Sequence, residues 1–338
     1  MSDGERANVL VTGGAGFLGS HLCRRMLGEG KRVTCLDNFR SGRRSAIADF
    51  LSHPHFRLIE HDVVDPLPAL PKFDLAYNLA CPASPPLYQR DPVHTLRTCV
   101  QGTYNVLEAA RRHGAMVLQA STSEVYGDPN VDPQCESYRG NVNPVGPRAC
   151  YDEGKRAAET LISDYVRQGL LRCKIVRIFN TYGPGMAPDD GRVVSTFAMQ
   201  ALMGRPLTVY GDGSQVRSLC YVDDLIDGLV RMTATDPSWL GPVNLGNPDP
   251  QTVVALALRI RALAGSESEI EYRPLPQDDP LQRCPDITLA RQRLGWKPRV
   301  TLDSGIELTL RYFRSLLAEE VEAGAAGSAP AGYKASWD

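Results

Sequence analysis

Residues 9–19 read VLVTGGAGFLG, and this stretch decides the fold. Apolar residues suited to a strand run into a glycine cluster, after which Phe17, Leu18 and Leu22 open an amphipathic helix. Gly13, Gly16 and Gly19 stand three residues apart, and Gly14, Gly16 and Gly19 also satisfy GxGxxG. Glycine at such a turn lets the backbone approach a pyrophosphate closely, and the free N–H groups of the helix's first turn then face the phosphates. A strand, glycine turn and helix in this order predict the dinucleotide-binding half of an α/β fold.

Working outward, apolar runs suited to strands recur at Val9–Val11, Val33–Leu36, Phe56–Ile59, Asp74–Leu79, Met116–Gln119 and Lys174–Ile178. Helix-period segments at Ala15–Leu27, Pro92–Arg112 and Tyr151–Arg167 lie between some of them. Short strands alternating with helices imply a doubly wound, Rossmann-type parallel sheet covered on both faces. Beyond about residue 180 the pattern loosens into glycine- and proline-rich loops. Helices are expected there at Val193–Met203, Asp223–Thr233, Thr252–Ala264 and Asp303–Ala318. The expected division is a dinucleotide-binding domain over 7–180, a smaller substrate-binding lobe mainly over 181–318, and a disordered tail over 319–338, where small and polar residues show no periodicity.

The bulk composition narrows the partners. A net charge of −2 gives no reason to expect nucleic acid or an anionic membrane. No apolar run reaches 18 residues, so no membrane span is expected. The polar start, MSDGERAN, does not read as a signal peptide, which makes the expected location cytoplasmic. The nine cysteines form no CxxC pair and the six histidines show no ligand-like spacing, so buried thiols are expected and no metal site.

Asp37 closes the second strand, 18 residues beyond Gly19. A carboxylate there accepts the ribose hydroxyls of NAD and repels the 2′-phosphate of NADP. Arg40, Arg43 and Arg44 follow closely, and they can neutralise a 2′-phosphate, line the pyrophosphate or face solvent. Asp62 and Val63 follow the third strand, where an aspartate can reach the adenine amino group.

Tyr151 and Lys155 form YDEGK on a helix, and the i, i+4 spacing puts both on one face. A neighbouring ammonium and a positive nicotinamide favour the phenolate, which suits the pair to removing a hydroxyl proton. Upstream, Ser121-Thr122-Ser123-Glu124-Val125-Tyr126-Gly127 follows a strand, where a doubly wound sheet opens its ligand crevice.

Together, the glycine turn, Asp37, the STSEVYG segment and YxxxK resemble the extended short-chain dehydrogenase/reductase superfamily. On that resemblance Thr122, Tyr151 and Lys155 are the catalytic triad. Longer strings sharpen it: CPASPPLYQRDP, ASTSEVYGDPNVDPQCESYRGNVNPVGPRACYDEGKR, RIFNTYGPGMAPDDGRVVS and VNLGNP are similar to the UDP-glucuronate decarboxylase family, from about residue 8 to 316. The resemblance implies a cofactor set of Gly13, Gly16, Phe17, Leu18, Gly19, Asp37, Asn38, Arg40, Asp62, Val63, Leu79, Ala80, Thr98, Tyr151 and Lys155. It implies nucleotide-sugar contacts at Pro82, Ser123, Glu124, Tyr151, Asn180, Arg192, Tyr210, Arg217 and Arg283. Ser123 and Glu124 should lie near the sugar carboxylate, where Glu124 either weakens carboxylate binding or handles a proton. Arg283 should face the sugar acid as a further catalytic group. Two departures stand out: Cys99 replaces the usual asparagine near the cofactor, and Leu219-Cys220 replaces an aromatic and a glutamine.

The implied reaction oxidises C4 of UDP-glucuronate with NAD as acceptor, which leaves the C6 carboxylate β to a ketone. Such acids lose CO₂ readily because the carbanion left at C5 is delocalised as an enolate, which Tyr151 and Thr122 are placed to stabilise. Protonation at C5 and re-reduction at C4 give UDP-xylose. Related readings stay open: release of the 4-keto pentose and NADH, an apiose-forming, epimerase or dehydratase reaction of the same fold, or a non-catalytic NAD-binding scaffold. The resemblance also implies a homodimer paired through the segments Pro92–Arg112 and Tyr151–Arg167.

Overall fold

The structure is a computed structural model and describes residues 7–276 and 281–325. Seven strands make the main sheet: β1 (Asn8–Thr12), β2 (Arg32–Asp37), β3 (Phe56–Glu60), β4 (Leu75–Asn78), β5 (Met116–Thr122), β6 (Cys173–Ile178) and β7 (Val243–Leu245). They run in the order β7-β6-β5-β4-β1-β2-β3, and every pairing is parallel. The order reverses between β1 and β4, which opens a crevice at their carboxyl ends.

The two-residue period of the strands feeds two cores. Val9 and Val11 of β1 face one side, and Leu10 faces the other. The first core joins Leu22 and Met26 of helix α1 (Phe17–Gly28) to Phe197, Leu225 and Leu229 from the second half of the chain. The second joins Leu10, Leu36, Val117 and Ile175 to Val106, Leu107, Ile162 and Tyr165. Leu10, Leu22, Leu36, Val106 and Ile162 are fully buried. Truncating any one of them to alanine costs about 2–5 kcal/mol.

The expected strands and helices of the first half are present, with one difference of shape. The segment expected as one helix over Pro92–Arg112 is α-helical over Pro92–Arg97, takes a π turn over Thr98–Gly102, and is α-helical again over Thr103–His113. A Cβ on Gly102 would come within 2.7 Å of Val63 Cγ2, so this turn lies against the loop after β3. π turns put an extra residue into a helix and often mark functional sites. The next long helix, α2 (Ala149–Arg167), crosses β5 and β6.

The second half carries helices at Val193–Leu202, Val222–Thr233, Val253–Ala264 and Leu302–Ala325. It also returns one strand, β7, to the edge of the main sheet beside β6. Asn244 anchors it: the side chain donates to Gln134 O at 2.9 Å and to Asp286 O at 3.1 Å, and accepts from the Tyr126 hydroxyl at 2.7 Å. The last helix continues to Ala325, past the expected end at 318, and the rest of the expected tail, 326–338, lies outside the described residues. No helix among the described residues is long and apolar enough to cross a membrane.

Candidate active site

Thr122 ends β5, and its hydroxyl accepts from the Glu124 N–H at 3.2 Å, capping the turn Ser123–Tyr126. The first turn of α2 brings Tyr151 close to Thr122, and both line the same crevice. One turn later, Lys155 donates to Ala120 O at 2.8 Å, with its ammonium 5.7 Å from the centre of the Tyr151 ring. The expected triad is therefore assembled, with all three side chains buried. Tyr88 stacks flat on Tyr151, ring centres 5.0 Å apart.

The electrostatics correct one expectation. The protein alone does not favour the Tyr151 phenolate: burial pushes the phenol well above its ordinary value, and Thr122 beside it offsets this only in part.

Ser123 and Glu124 meet Arg283 across 160 and 159 residues of sequence. Arg283, 2 % exposed, donates to Ser123 Oγ at 3.0 Å and to Glu124 Oε2 at 2.8 Å. Arg148 donates to the same Glu124 oxygen at 2.5 Å. Burial alone would raise the Glu124 carboxyl, but the two guanidinium groups outweigh it and hold the carboxyl at about 2. Glu124 is thus a fixed anion at neutral pH. Both guanidinium groups favour its charged form and counter its repulsion of a nearby carboxylate. Arg283 Nε is buried with no hydrogen-bond partner among the described residues. Arg148 was missed in the sequence, although it sits three residues before Tyr151. Asp152, also missed, is buried beside this cluster and pushed up to about 8, by burial first and then by Glu124.

The crevice at the sheet's switch point is lined by Gly13, Gly16, Phe17, Leu18, Gly19, Asp37, Asn38, Arg40, Val63, Leu79, Ala80, Pro82, Thr98, Tyr151 and Lys155. Its glycines fit a dinucleotide. A Cβ on Gly13 would come within 2.9 Å of the Ala80 backbone, and one on Gly19 within 2.0 Å of Gly13 O. Gly16 heads α1, whose N-terminus has no acidic side chain to compete with phosphate. Asp37 accepts from the N–H groups of Ala15 at 2.9 Å and Phe39 at 2.8 Å, which leaves the carboxylate acceptor capacity for ribose hydroxyls. The nearby arginines are engaged elsewhere: Arg40 with Asp91 at 2.6 Å, Arg43 with Gly185 O at 2.7 Å, and Arg44 with Glu60. Asp62 stands behind the residues that line the crevice. Its carboxylate is taken up by Asn38, His94 and the Val64 N–H, so it braces the wall behind the crevice.

A second cavity of about 520 Å³ adjoins the first, and both are lined by Glu124, Asn180, Thr181 and Arg192. Tyr210, Arg217 and Arg283 line the second alone. Arg192 is paired with Asp190 at 2.5 and 2.8 Å and lies over the Phe17 ring at 5.6 Å, so it stands where the cavities meet. Gln215, not singled out in the sequence, donates to Tyr210 O at 2.9 Å, and its buried Oε1 has no partner among the described residues.

A profile of the "NAD dependent epimerase/dehydratase family" matches residues 9–246. UDP-glucuronic acid decarboxylase 1 of Xenopus tropicalis is 50 % identical over 320 residues, 95 % of this chain and 75 % of the relative. UDP-glucuronic acid decarboxylase 4 of Arabidopsis thaliana is 52 % identical over 306 residues, 90 % of this chain and 68 % of the relative. Among solved structures, UDP-glucuronic acid 4-epimerase from Bacillus cereus, in complex with UDP-glucuronic acid and NAD, is 26 % identical with a TM-score of 0.81, covering 91 % of this chain and 99 % of that one. The UDP-glucose 4-epimerase of Thermotoga maritima is 29 % identical with a TM-score of 0.83, covering 92 % and 99 %. With the triad, the glycine cradle and the paired cavities in place, these likenesses settle descent: the chain belongs to the NAD dependent epimerase/dehydratase family and, within it, to the UDP-glucuronic acid decarboxylases.

Proposed function

We propose that the chain converts UDP-glucuronate to UDP-xylose and CO₂, with the sugar seated where the two cavities meet. The observation that carries this reading is the buried Ser123–Glu124–Arg148–Arg283 cluster, whose Glu124 lines both the crevice that holds Tyr151 and the cavity that holds the two arginines. It holds two guanidinium groups, those of Arg148 and Arg283, at the wall of the cavity that would receive an acid group one bond from the ring. The cofactor is NAD, and when bound it supplies a reversible two-electron acceptor for C4 of the sugar.

Tyr151, beside Thr122, takes the proton from the C4 hydroxyl. Lys155, pinned by Ala120 O, holds its ammonium beside that phenol. With C4 as a ketone, the carboxylate is β to a carbonyl, and the Thr122 and Tyr151 hydroxyls stabilise the enolate left as CO₂ departs. Ser123 and Arg283 orient the carboxylate, and Glu124 keeps both arginines in place. Tyr210, Arg217, Asn180 and Arg192 hold the nucleotide diphosphate side, and Pro82 abuts the sugar. Gly13, Gly16, Gly19, Phe17 and Leu18 cradle the pyrophosphate, Asp37 and Asn38 take the adenosine ribose, and Val63, Leu79, Ala80 and Thr98 form the walls.

We assign residues 7–180 chiefly to the cofactor and 181–318 chiefly to the nucleotide sugar. Two copies pair through the helix beginning at Pro92, a reading supported by the exposed Val93, Leu96, Val100 and Tyr104 along it. Light scattering that finds only monomer at micromolar concentration refutes the pairing. A cytoplasmic location is supported by nine free thiols.

The test of function is incubation of the purified protein with UDP-glucuronate, followed by mass spectrometry and absorbance. UDP-pentose with a reduced C4, one CO₂ per turnover and no accumulating NADH are expected. Accumulating NADH with a 4-keto product makes it an oxidative decarboxylase, and unchanged mass with inversion at C4 makes it an epimerase.

A further inference from the structure

Two thiols lie together at the edge of the cofactor crevice. Cys81 follows β4 in the strip Leu79-Ala80-Cys81-Pro82 and lines the crevice, half-buried. Cys99 sits in the π turn, 2 % exposed. Their sulfurs are 3.3 Å apart. A disulfide needs about 2.05 Å, so closure asks for roughly 1.2 Å of combined side-chain movement. The remaining cysteine near them, Cys150, donates to Tyr88 O at 3.7 Å.

We infer that Cys81 and Cys99 form an oxidisable dithiol, closed to a disulfide by hydrogen peroxide, and that closing it impairs NAD binding. The chemistry balances with that oxidant. The Cys99 thiolate attacks a peroxide oxygen and breaks the O–O bond, giving a sulfenic acid and one water. The Cys81 thiolate then displaces hydroxide from that sulfur, which leaves as the second water, and two electrons have passed from the thiols to the peroxide. The order of attack follows the surroundings. The hydrogen bond from Cys81 and the charge of Lys155 hold the Cys99 thiol below the usual range despite its burial, whereas burial pushes Cys81 up.

The link to the cofactor is geometric and rests on the crevice being the NAD site. Ala80, next to Cys81, is the backbone against which the Gly13 turn packs, with 2.9 Å to a Cβ built on Gly13. Cys99 is wedged under α2 one residue from Lys155: a Cβ on Gly154 would meet Cys99 Cβ at 2.9 Å and Sγ at 3.1 Å. Drawing the sulfurs together therefore pulls on the pyrophosphate turn and on the helix of the triad at once, in an interior packed too closely to absorb it.

The full-length protein is exposed to hydrogen peroxide, quenched, and divided for tryptic mapping and for equilibrium binding of labelled NAD. The expected product joins the tryptic peptides 73–90 and 98–111, lighter by two hydrogens than their sum, and is undone by dithiothreitol. NAD binding should fall in proportion to the linked fraction and return on reduction. Cys99→Ser and, as a second variant, Cys81→Ala should form no such product and should keep the NAD binding they showed before exposure. The dithiol is refuted if the linked peptides do not form while other thiols oxidise, or if either cysteine is joined instead to peptide 149–155, which carries Cys150. The coupling to NAD is refuted if full linkage leaves binding unchanged, or if Cys99→Ser loses binding as fast as the parent. Peptide mapping reads the dithiol whether or not the chain decarboxylates UDP-glucuronate, so its failure and that of the proposed reaction are separable.

Discussion

Replacing Arg283 with methionine removes one of two cations from a buried carboxylate while keeping most of the side-chain volume. Glu124 is held at about 2 against an ordinary 4.5, a difference worth about 3 kcal/mol at pH 7. Arg283 and Arg148 both lower it, each through its charge and a hydrogen bond. Its loss also strips a donor from Ser123. Arg283→Met should therefore cost about 2–4 kcal/mol of folding stability, which for a chain of this size is a fall in Tm of roughly 3–6 °C. The pH dependence carries a sign. The folded Glu124 carboxyl sits below its unfolded value, so its contribution is complete above pH 4.5 and fades as the pH falls towards 2. The variant should lose much of that acid limb. If Arg283 also receives the substrate carboxylate, kcat/KM falls a further ten- to hundredfold, by about one charged hydrogen bond. The assay is thermal unfolding across pH 2–7 on the parent, Arg283→Met, Glu124→Gln and the double variant. A coupling of about 1–3 kcal/mol is expected. Additivity within about 0.5 kcal/mol, or an unchanged acid limb in Arg283→Met, would refute the account of the cluster.

Three further outcomes follow from the same structure. Tyr151→Phe removes the hydroxyl assigned to take the C4 proton, so kcat should fall by about 10²–10⁴ while NAD binding by titration is retained; near-normal turnover sinks the mechanism. Asp152 is pushed up to about 8 in the fold from 3.8, so its contribution is complete below pH 3.8 and is lost as pH rises through about 8; Asp152→Asn should flatten the decline in stability over that window, by at most about 1.4 kcal/mol per pH unit, and an unaltered slope in thermal melts contradicts it. Gly19→Ala places a methyl 2.0 Å from Gly13 O, so NAD binding should be lost or the glycine turn displaced; calorimetry that finds normal affinity rejects the cradle.

The legible part of the molecule was the part governed by local patterning. The glycine turn, the alternating strands and the YxxxK helix follow from spacing along a few residues, and all appear where expected. Strand β7 was not legible because Val243–Leu245 is three residues long, too short for a period to register. The π turn escaped because Thr98–Gly102 keeps a helical hydrophobic pattern while one extra residue slips into the ladder. In the site, Arg283 was placed by resemblance alone, since nothing near it in sequence says that it returns to Ser123. Arg148 and Asp152 flank Tyr151, yet an arginine and an aspartate before and within a helix read as ordinary surface charge until the fold buries them. Asp62 has neighbours the sequence did not show: His94 and Asn38 both bond its carboxylate, one from 32 residues further along the chain and one from the end of β2.

The return of Val243–Leu245 to the far edge of the sheet carries a consequence for how this molecule can be taken apart. Asn244 bolts that edge to the backbones of Gln134 and Asp286 and to the Tyr126 hydroxyl, and Arg283 arrives just before Asp286. A fragment ended near residue 180 would thus lack a sheet edge and the arginine that pairs with Glu124 together, and a lobe grafted from a cousin would have to bring its own bolt. Gene fusions and chimaeras that cut between the halves should fail as assemblies before they fail as catalysts.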